Sequence, residues 1–298
     1  MHYRRGLSLT VALLVLSVLP CSAAGAEGSV QRLSAAPRRG QASPTEGHSV
    51  VTRVSVSSAG QEGNLASGYP AISPHGTYVA FSSQASNLVQ NDDNDEQDVF
   101  VHHVSSRSTV RASVDGSGSG ENGPSTLSSV TEVDGTYVVA FESLASNLVS
   151  DDDNGMHDIF VHHGGTGETT RTSLAPDGTG GNWSSANPAL SADGTRVAFE
   201  SAATNLLGDP DDNGHRDIFL RDLETGEMTL VSVSAAGEQG NGWSLRPAIS
   251  PDGDYVVFTS AADNLVQEDE NGTWDVFLRE ADGTWLSRVS VSRISEEG

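Results

Sequence analysis

The sequence predicts an all-β fold, a β-propeller built from four-stranded antiparallel blades. Three observations predict it: a repeat of about 59 residues, short runs in which apolar and polar residues alternate, and no sustained helical period in the mature chain. The repeat is marked by four phenylalanines that are 60, 58 and 59 residues apart: Phe81, Phe141, Phe199 and Phe258. A fixed period of this size indicates that each copy is one supersecondary module, whose apolar faces are buried by its neighbours.

Each copy of the repeat contains four short strand patterns. In the third copy, PALS (188–191) leads through a glycine-containing turn into RVAFES (196–201). A long acidic loop follows, and then DIFLRD (217–222), a second turn and TLVSVS (229–234). Alternation of Val, Ile, Phe and Leu with Ser, Thr and Arg is typical of half-buried strands. Repeated four-stranded sheets of this kind predict a propeller, because the blades bury one another's faces.

The repeats also resemble a known family. The runs PAISPHGTYVAFSS, PALSADGTRVAFES and PAISPDGDYVVFTS are each followed by DVFVHH, DIFLRD or DVFLRE and a TGE-like turn. They resemble the WD40-like PD40 repeats of TolB-type propellers over roughly residues 50–292. The resemblance implies the propeller fold but no single activity, because such repeats occur in periplasmic scaffolds, in propellers of prolyl oligopeptidase relatives and in many other exported proteins. The second copy departs from the pattern, with LSSVTEVDGTYVVAFES in place of the proline-containing start.

The number of blades is left open by the sequence. Residues 51–58, VTRVSVSS, resemble the fourth strands of the four complete copies, so that five such strands accompany four sets of the other three. Three explanations compete. The extra strand completes a fifth, partial blade at the seam of the ring, it lies on an edge or pairs with another chain, or the chain is a shortened version of a larger propeller.

The first 49 residues predict export. Arg4 and Arg5 precede an apolar stretch and small residues that end at Ala26, which is typical of a secretory signal over residues 1–26 with cleavage after Ala26. Residues 27–49 have the Ser, Ala, Gly and Pro content of a disordered spacer, and residues 50–298 form the predicted propeller domain. We therefore expect a secreted or periplasmic protein without stable membrane insertion after signal cleavage.

The only cysteine, Cys21, lies inside this signal, so the mature chain has no thiol for a disulfide, a nucleophile or a metal site. A lipid anchor on Cys21 is a rival interpretation, which Pro20 disfavours because lipoprotein processing prefers a small residue there.

The charge of the chain bears on its partners. The formal net charge is −24 and the chain contains no lysine, which excludes a nucleic acid partner that would need clustered basic residues. We expect instead a protein or glycan partner at the rim that carries the long loops, and the sequence predicts no oligomeric state. Trp183 and Trp243 lie in the segments that connect blades, where they either contact such a partner or pack against the adjacent blade.

The loop between the second and third strands of each copy carries the candidate metal ligands. Three oxygen donors are shared by all four loops, and the third loop adds a further aspartate. The candidate ligands are Asp92, Asn94 and Asp98; Asp152, Asn154 and Asp158; Asp209, Asp211, Asn213 and Asp217; and Asp269, Asn271 and Asp275. Alternate oxygen donors followed by a glycine and a further carboxylate can wrap calcium, and the pattern is similar to the calcium loops of integrin-type propellers.

The alternative is structural. Asn-Gly forms a tight turn, and the final aspartate of each loop caps it by accepting backbone N–H bonds. The first loop has Asp95 where the others have glycine, and only the third loop has Asp209 at its first position, which makes the third loop the strongest metal candidate. No cofactor is required on this interpretation, and calcium is the ion expected if the loops bind one.

The predicted function is that of an exported TolB-like propeller acting as a non-catalytic protein-interaction or ligand-binding scaffold, stabilised by calcium if the loops bind it. The alternative is a propeller hydrolase or lyase acting on an extracellular polysaccharide or peptide. The 298 residues contain no G-x-S-x-G elbow, and the carboxylates are too numerous to nominate a catalytic pair. A perturbed pair of carboxyl groups in the central channel would distinguish the enzyme from the scaffold.

Overall fold

The computed structural model describes residues 51–291, except residues 210, 212 and 268 and the side chains of residues 127 and 128. The predicted signal (1–26) and spacer (27–49) lie outside the described residues. Within them the regular structure consists of sixteen strands, arranged as four antiparallel sheets of four strands in chain order. The predicted all-β, four-stranded blades are confirmed.

The sheets are called blades one to four below. Blade one contains β1 (Ser67–Ile72), β2 (Tyr78–Ser83), β3 (Asp98–His103) and β4 (Ser108–Arg111). Blade two contains β5 (Ser125–Val133), β6 (Thr136–Ser143), β7 (Asp158–His163) and β8 (Glu168–Arg171). Blade three contains β9 (Ser185–Leu190), β10 (Arg196–Ser201), β11 (Asp217–Asp222) and β12 (Met228–Leu230). Blade four contains β13 (Ser244–Ile249), β14 (Tyr255–Ser260), β15 (Asp275–Glu280) and β16 (Leu286–Arg288).

The fourth strands are shorter than predicted. β12 ends at Leu230, whereas the apolar alternation predicted a strand through residue 234. Beyond Leu230 the chain leaves the sheet and bends back on itself, with Val233 bridged to Gln239. The Ser232 hydroxyl still accepts a hydrogen bond from the backbone N–H of Ile218. The segment after β12 therefore stays attached to β11 through a side chain although the strand has ended.

The cores lie between successive blades. The phenylalanines that mark the repeat are buried, and each stacks on a phenylalanine of the neighbouring third strand at 5.8 or 5.9 Å between ring centroids. In blades two to four these pairs pack against the preceding blade, where burial of apolar surface stabilises the stack.

Among the described residues, no core cluster joins blade four to blade one. In β14 and β15 buried residues alternate with partly exposed ones, whereas nearly all residues of β10 are buried, so the outer face of blade four is open. The extra segment 51–58 joins none of the four sheets and lies against blade one. The described part of the chain therefore does not complete a fifth blade by itself. It also contains no helix that could cross a membrane.

Candidate functional site

The acidic loops and the segments that connect one blade to the next lie on one rim, here called the loop-bearing rim. The Asn154 side-chain amide donates to the Gly181 carbonyl at 2.8 Å, and Asn213 makes the same contact with Gly240 at 3.0 Å. The shared rim that alternating strand direction predicts is therefore confirmed for loops one to three, each of which is bonded to the connection that follows its blade.

Each acidic loop is closed by its asparagine. The side-chain oxygen Oδ1 of Asn154 accepts a hydrogen bond from the backbone N–H of Met156 at 2.8 Å, which forms an Asx turn. The asparagines of the other three loops form the same turn. The residue after the asparagine has a positive φ, which glycine adopts without strain in loops two to four. In loop one that residue is Asp95, with φ 59°, so the turn survives the loss of glycine.

The last aspartate of each loop is held by two side chains. The amide of the loop asparagine donates to it, at 2.7 Å for both Asn154 to Asp158 and Asn213 to Asp217. A serine from the segment after the fourth strand also donates to it, as Ser232 does to Asp217 at 2.5 Å. That serine accepts the N–H of the residue after the aspartate, so the carboxylate is capped by side chains rather than by the backbone N–H groups that the turn hypothesis predicted.

An arginine at the end of the fourth strand closes three of the four loops. Its Nη1 lies 3.1 Å from Asp92 and 3.5 Å from Asp98 in loop one, where the arginine is Arg111. Arg171 lies 2.8 Å from Asp152 and 3.7 Å from Asp158 in loop two, and Arg288 lies 2.5 Å from Asp269 and 3.5 Å from Asp275 in loop four. These guanidinium groups lie between the two carboxylates that a calcium ion would bridge.

Loop three differs at this position. Leu230 pairs with Phe219 in the register in which Arg111 pairs with Phe100, so an apolar side chain stands where the other blades carry arginine. Asp211 and Asp217 are both buried, and burial raises the pKa of Asp217 above its ordinary value.

Burial also perturbs the first aspartates of loops one and two. Loss of solvent, together with the charge of Asp98, raises the pKa of Asp92 to about 6, although Arg111 opposes the shift. Asp152 is raised to a pKa of about 6 by burial and by Asp158, with Arg171 again opposing. The attraction of the arginines therefore offsets only part of the free-energy cost of burying two carboxylates.

Glu121 adds a further carboxyl group to loop one. It occupies the position of Gly63, Gly181 and Gly240 in the other connections, and its side chain is 2% exposed. Burial, together with the charge of Asp98, raises the pKa of Glu121 to about 9, so that the side chain is neutral at pH 7.

The predicted ligands are brought together as aspartate pairs. Asp209 is exposed, away from the buried pair of its own loop. No group of three or more His, Asp or Glu side chains is arranged to hold a metal within the described ranges. The arginine-filled loops one, two and four do not fit a cation. Loop three is the one acidic loop whose fourth strand does not supply an arginine, so calcium remains a prediction for that loop.

A second pair of carboxylates, Glu142 and Glu200, lies on β6 and β10. Glu142 accepts the backbone N–H of Asn187 at 3.1 Å, and Glu200 accepts that of Arg246 at 2.8 Å. The two N–H groups lie at bulges in β9 and β13, where both residues have a positive φ. Burial raises the pKa of Glu142 to about 7. The sequence analysis did not predict these links. The run FES occurs in copies two and three, and its glutamate, at a strand position that is otherwise apolar or small, could have indicated them.

Tryptophans mark the surface of the rim. Trp183 and Trp243, in the connections between blades, and Trp274, in the fourth acidic loop, are each about half exposed. Trp183 and Trp243 are therefore only partly packed against the adjacent blades, and their contact with a partner stays a prediction.

Comparison with known proteins concerns the fold. No family model matches the chain, and no curated protein matches it in sequence. TolB from Acinetobacter baumannii is 21% identical with a TM-score of 0.42, over 76% of this chain and 43% of the TolB chain. A putative TolB from Agrobacterium tumefaciens is 16% identical with a TM-score of 0.46, over 76% of this chain and 63% of that chain.

Oligogalacturonate lyase from Vibrio parahaemolyticus is 13% identical with a TM-score of 0.43, over 73% of this chain and 50% of that one. The chain thus spans less than two thirds of each of these proteins. At these identities the likeness is one of fold alone, and the four-stranded blades agree with the TolB-like propeller that the repeats predict.

Proposed function

We propose that this chain is an exported, non-catalytic scaffold that binds a protein or glycan partner on its loop-bearing rim. The observation that carries the proposal is the exposure of Trp183, Trp243 and Trp274 on one rim, next to acidic loops whose buried side chains are engaged internally. Exposed indole rings stack on sugar faces and fill apolar pockets of partner proteins.

The negative charges beside the tryptophans indicate which chemical groups the partner carries. The exposed aspartates of the loops, such as Asp93, Asp151 and Asp153, surround the connections with negative charge. A partner with hydroxyl or basic groups matches this surface, because complementary charge speeds and orients association.

The proposal includes a calcium ion bound at loop three. Its support is the substitution of Leu230 for the arginine of the other blades, beside the buried Asp211 and Asp217. Oxygen ligands of this kind suit calcium, which would supply the counter-charge that Arg171 supplies in loop two.

The enzyme alternative has weaker support. Glu142 has the raised pKa that a general acid needs, but its carboxylate accepts a backbone N–H of the next blade. Glu200 is bonded in the same way and also faces Arg216 at 3.3 Å. The pair therefore has a structural role as a link between blades.

Binding to arrays of defined glycans and peptides tests the proposal. Trp183→Ala, Trp243→Ala and Trp274→Ala should each weaken binding by about tenfold or more, since buried aromatic anchors carry much of an interface's energy. Trp285→Ala is the matched control, because Trp285 is similarly exposed but lies in the turn between β15 and β16, on the opposite rim. Equal binding by all four variants, or turnover of an array component that Glu142→Gln abolishes, would contradict the scaffold.

The exported location is tested separately. Mass spectrometry of protein recovered outside the cytoplasm should show a chain that begins at Glu27, as cleavage after Ala26 predicts. Recovery of the unprocessed chain in the cytoplasm alone would contradict this part of the proposal.

A further inference from the structure

Residues 53–56 have the sequence of a fourth strand but belong to none of the four sheets that the described residues form. In blades one, two and four an arginine at the end of the fourth strand is followed two residues later by a serine. Arg53 and Ser55 repeat this spacing, and the run RVSVS at 53–57 is identical to the run at 288–292.

In blades one, two and four the arginine and the serine of this spacing each make a defined contact. The serine hydroxyl accepts the N–H of the third strand, as Ser290 does from Val276 at 3.1 Å, and the arginine pairs with the acidic loop, as Arg288 does. Arg53 instead pairs with Glu62 in solvent. The segment therefore carries the groups that would bind a third strand and an acidic loop, and in the described part of the chain it pairs with neither.

The segment is already held where the fourth strand of a preceding blade would lie. Thr109 donates its hydroxyl to the Val56 carbonyl at 2.5 Å, and Thr169 makes the same bond to Val114, at the end of blade one's fourth-strand segment, at 2.5 Å. Val56 thus stands to blade one as Val114 stands to blade two.

Within residues 51–291, no preceding blade covers the first strand of blade one. Ile72, Val130 and Leu190 occupy the same register position in blades one, two and three. Val130 is 5% and Leu190 is 9% exposed because each packs on the preceding blade, whereas Ile72 is 65% exposed. One side of the inter-blade interface is therefore open at blade one.

The other side is open at blade four. Val257, Val276 and Leu278 on its outer face are partly exposed. The residues of blade three in the same registers are buried in the core shared with blade four: Ala198, Ile218 and Leu220. The four described blades make this interface three times and leave its two complementary halves exposed, one on blade one and one on blade four.

We propose that the occupant of both faces is a second copy of this chain. Blade four of one copy packs on blade one of the other, and residues 53–57 of the second copy pair with β15 in place of β16. Arg53 then takes the position of Arg288 beside Asp269 and Asp275, and Ser55 takes that of Ser290.

A second copy satisfies both ends at once. Two such contacts related by a twofold axis are identical and bring together two sets of four blades, within the roughly four to eight blades that propellers contain. This inference is independent of the proposed function.

Mass measurement of the purified protein by sedimentation tests the proposal over a range of concentrations. The expected result is a dimer. Ile72→Glu and Leu278→Glu should each raise the dimer dissociation constant by about tenfold or more, because each places a charge in an apolar contact. Leu144→Glu, a similarly exposed leucine on blade two, is the control and should leave the dimer intact.

The strand exchange is tested by two arginine variants with opposite expected signs. Arg53→Ala should weaken the dimer, because the incoming strand loses its pairing with Asp269. Arg288→Ala should strengthen it, because β16 is held less firmly and is easier to displace. Circular dichroism verifies that each variant folds.

Three results would overturn the proposal: a monomer at all concentrations, a dimer that resists both Ile72→Glu and Leu278→Glu, or open-ended assembly into larger species. Equal effects of the two arginine variants would overturn the exchange of strands.

Discussion

Loop three and loop two have the same acidic sequence pattern but differ in the fourth-strand residue that lies beside it. In loop two the guanidinium of Arg171 lies between Asp152 and Asp158, whereas loop three has Leu230 at the equivalent position, and burial raises the pKa of its Asp217. Buried carboxylates need a counter-charge, and its source is decided by the residue on the fourth strand. The comparison shows that an acidic loop alone does not define a metal site.

The largest effect is expected from making loop two resemble loop three. Arg171→Leu leaves Asp152 and Asp158 buried without their counter-charge, so the free energy of unfolding at pH 7 should fall by about 3–5 kcal/mol. Urea denaturation measures it, with Leu230→Met as a control that should cost less than about 1.5 kcal/mol. A loss below about 1 kcal/mol for Arg171→Leu would show that the guanidinium is dispensable.

A smaller effect is expected at Glu121, the extra carboxyl group of loop one. Its pKa is about 9 in the folded protein against an ordinary value of 4.5, so the folded state keeps a proton that the unfolded state loses. The free energy of unfolding therefore falls as pH rises between these two values.

Glu121→Gln removes this dependence, and should be more stable than the parent protein at pH 8 by on the order of a few kcal/mol, with little difference at pH 4. Denaturation at the two pH values measures it, with the exposed Glu238→Gln as the control. A variant that is less stable than the parent at pH 8 would contradict the assignment.

The converse exchange sharpens the comparison at loop three. Leu230→Arg supplies the guanidinium of the other blades, and should stabilise the protein by on the order of 1 kcal/mol in EDTA. If loop three binds calcium, the parent protein should melt at a higher temperature with calcium than with magnesium, and Leu230→Arg should abolish that rise. A parent protein whose midpoint does not respond to millimolar calcium would remove calcium from the proposal.

The smallest effect is expected at Asp209. This predicted ligand is exposed, so Asp209→Asn should change the free energy of unfolding in EDTA by less than about 0.5 kcal/mol. Thermal melts in EDTA and in calcium measure it. A large loss in EDTA would show a structural role for Asp209, and a loss confined to calcium would make it a ligand.

Much of the fold could be predicted because the repeat is local. The phenylalanine spacing and the alternation within each copy predicted four four-stranded sheets, and the shared asparagines and aspartates indicated where the loops lie. The pairing of Arg171 with Asp152 could not be predicted from the loop alone, since it depends on the register of a strand that follows the loop by more than ten residues. The burial of Glu121 could not be predicted either. It depends on how loop one packs around this position, which is a glycine in the other connections.

The most direct test is the pH dependence of the difference in unfolding free energy between Arg171→Leu and the parent protein, measured from pH 4 to pH 8. If the guanidinium serves as the counter-charge, the destabilisation should be large at pH 8 and shrink toward pH 4, where the aspartates of the variant take up protons and no longer need it. A destabilisation of the same size at both pH values would contradict this account and indicate that Arg171 acts through packing alone.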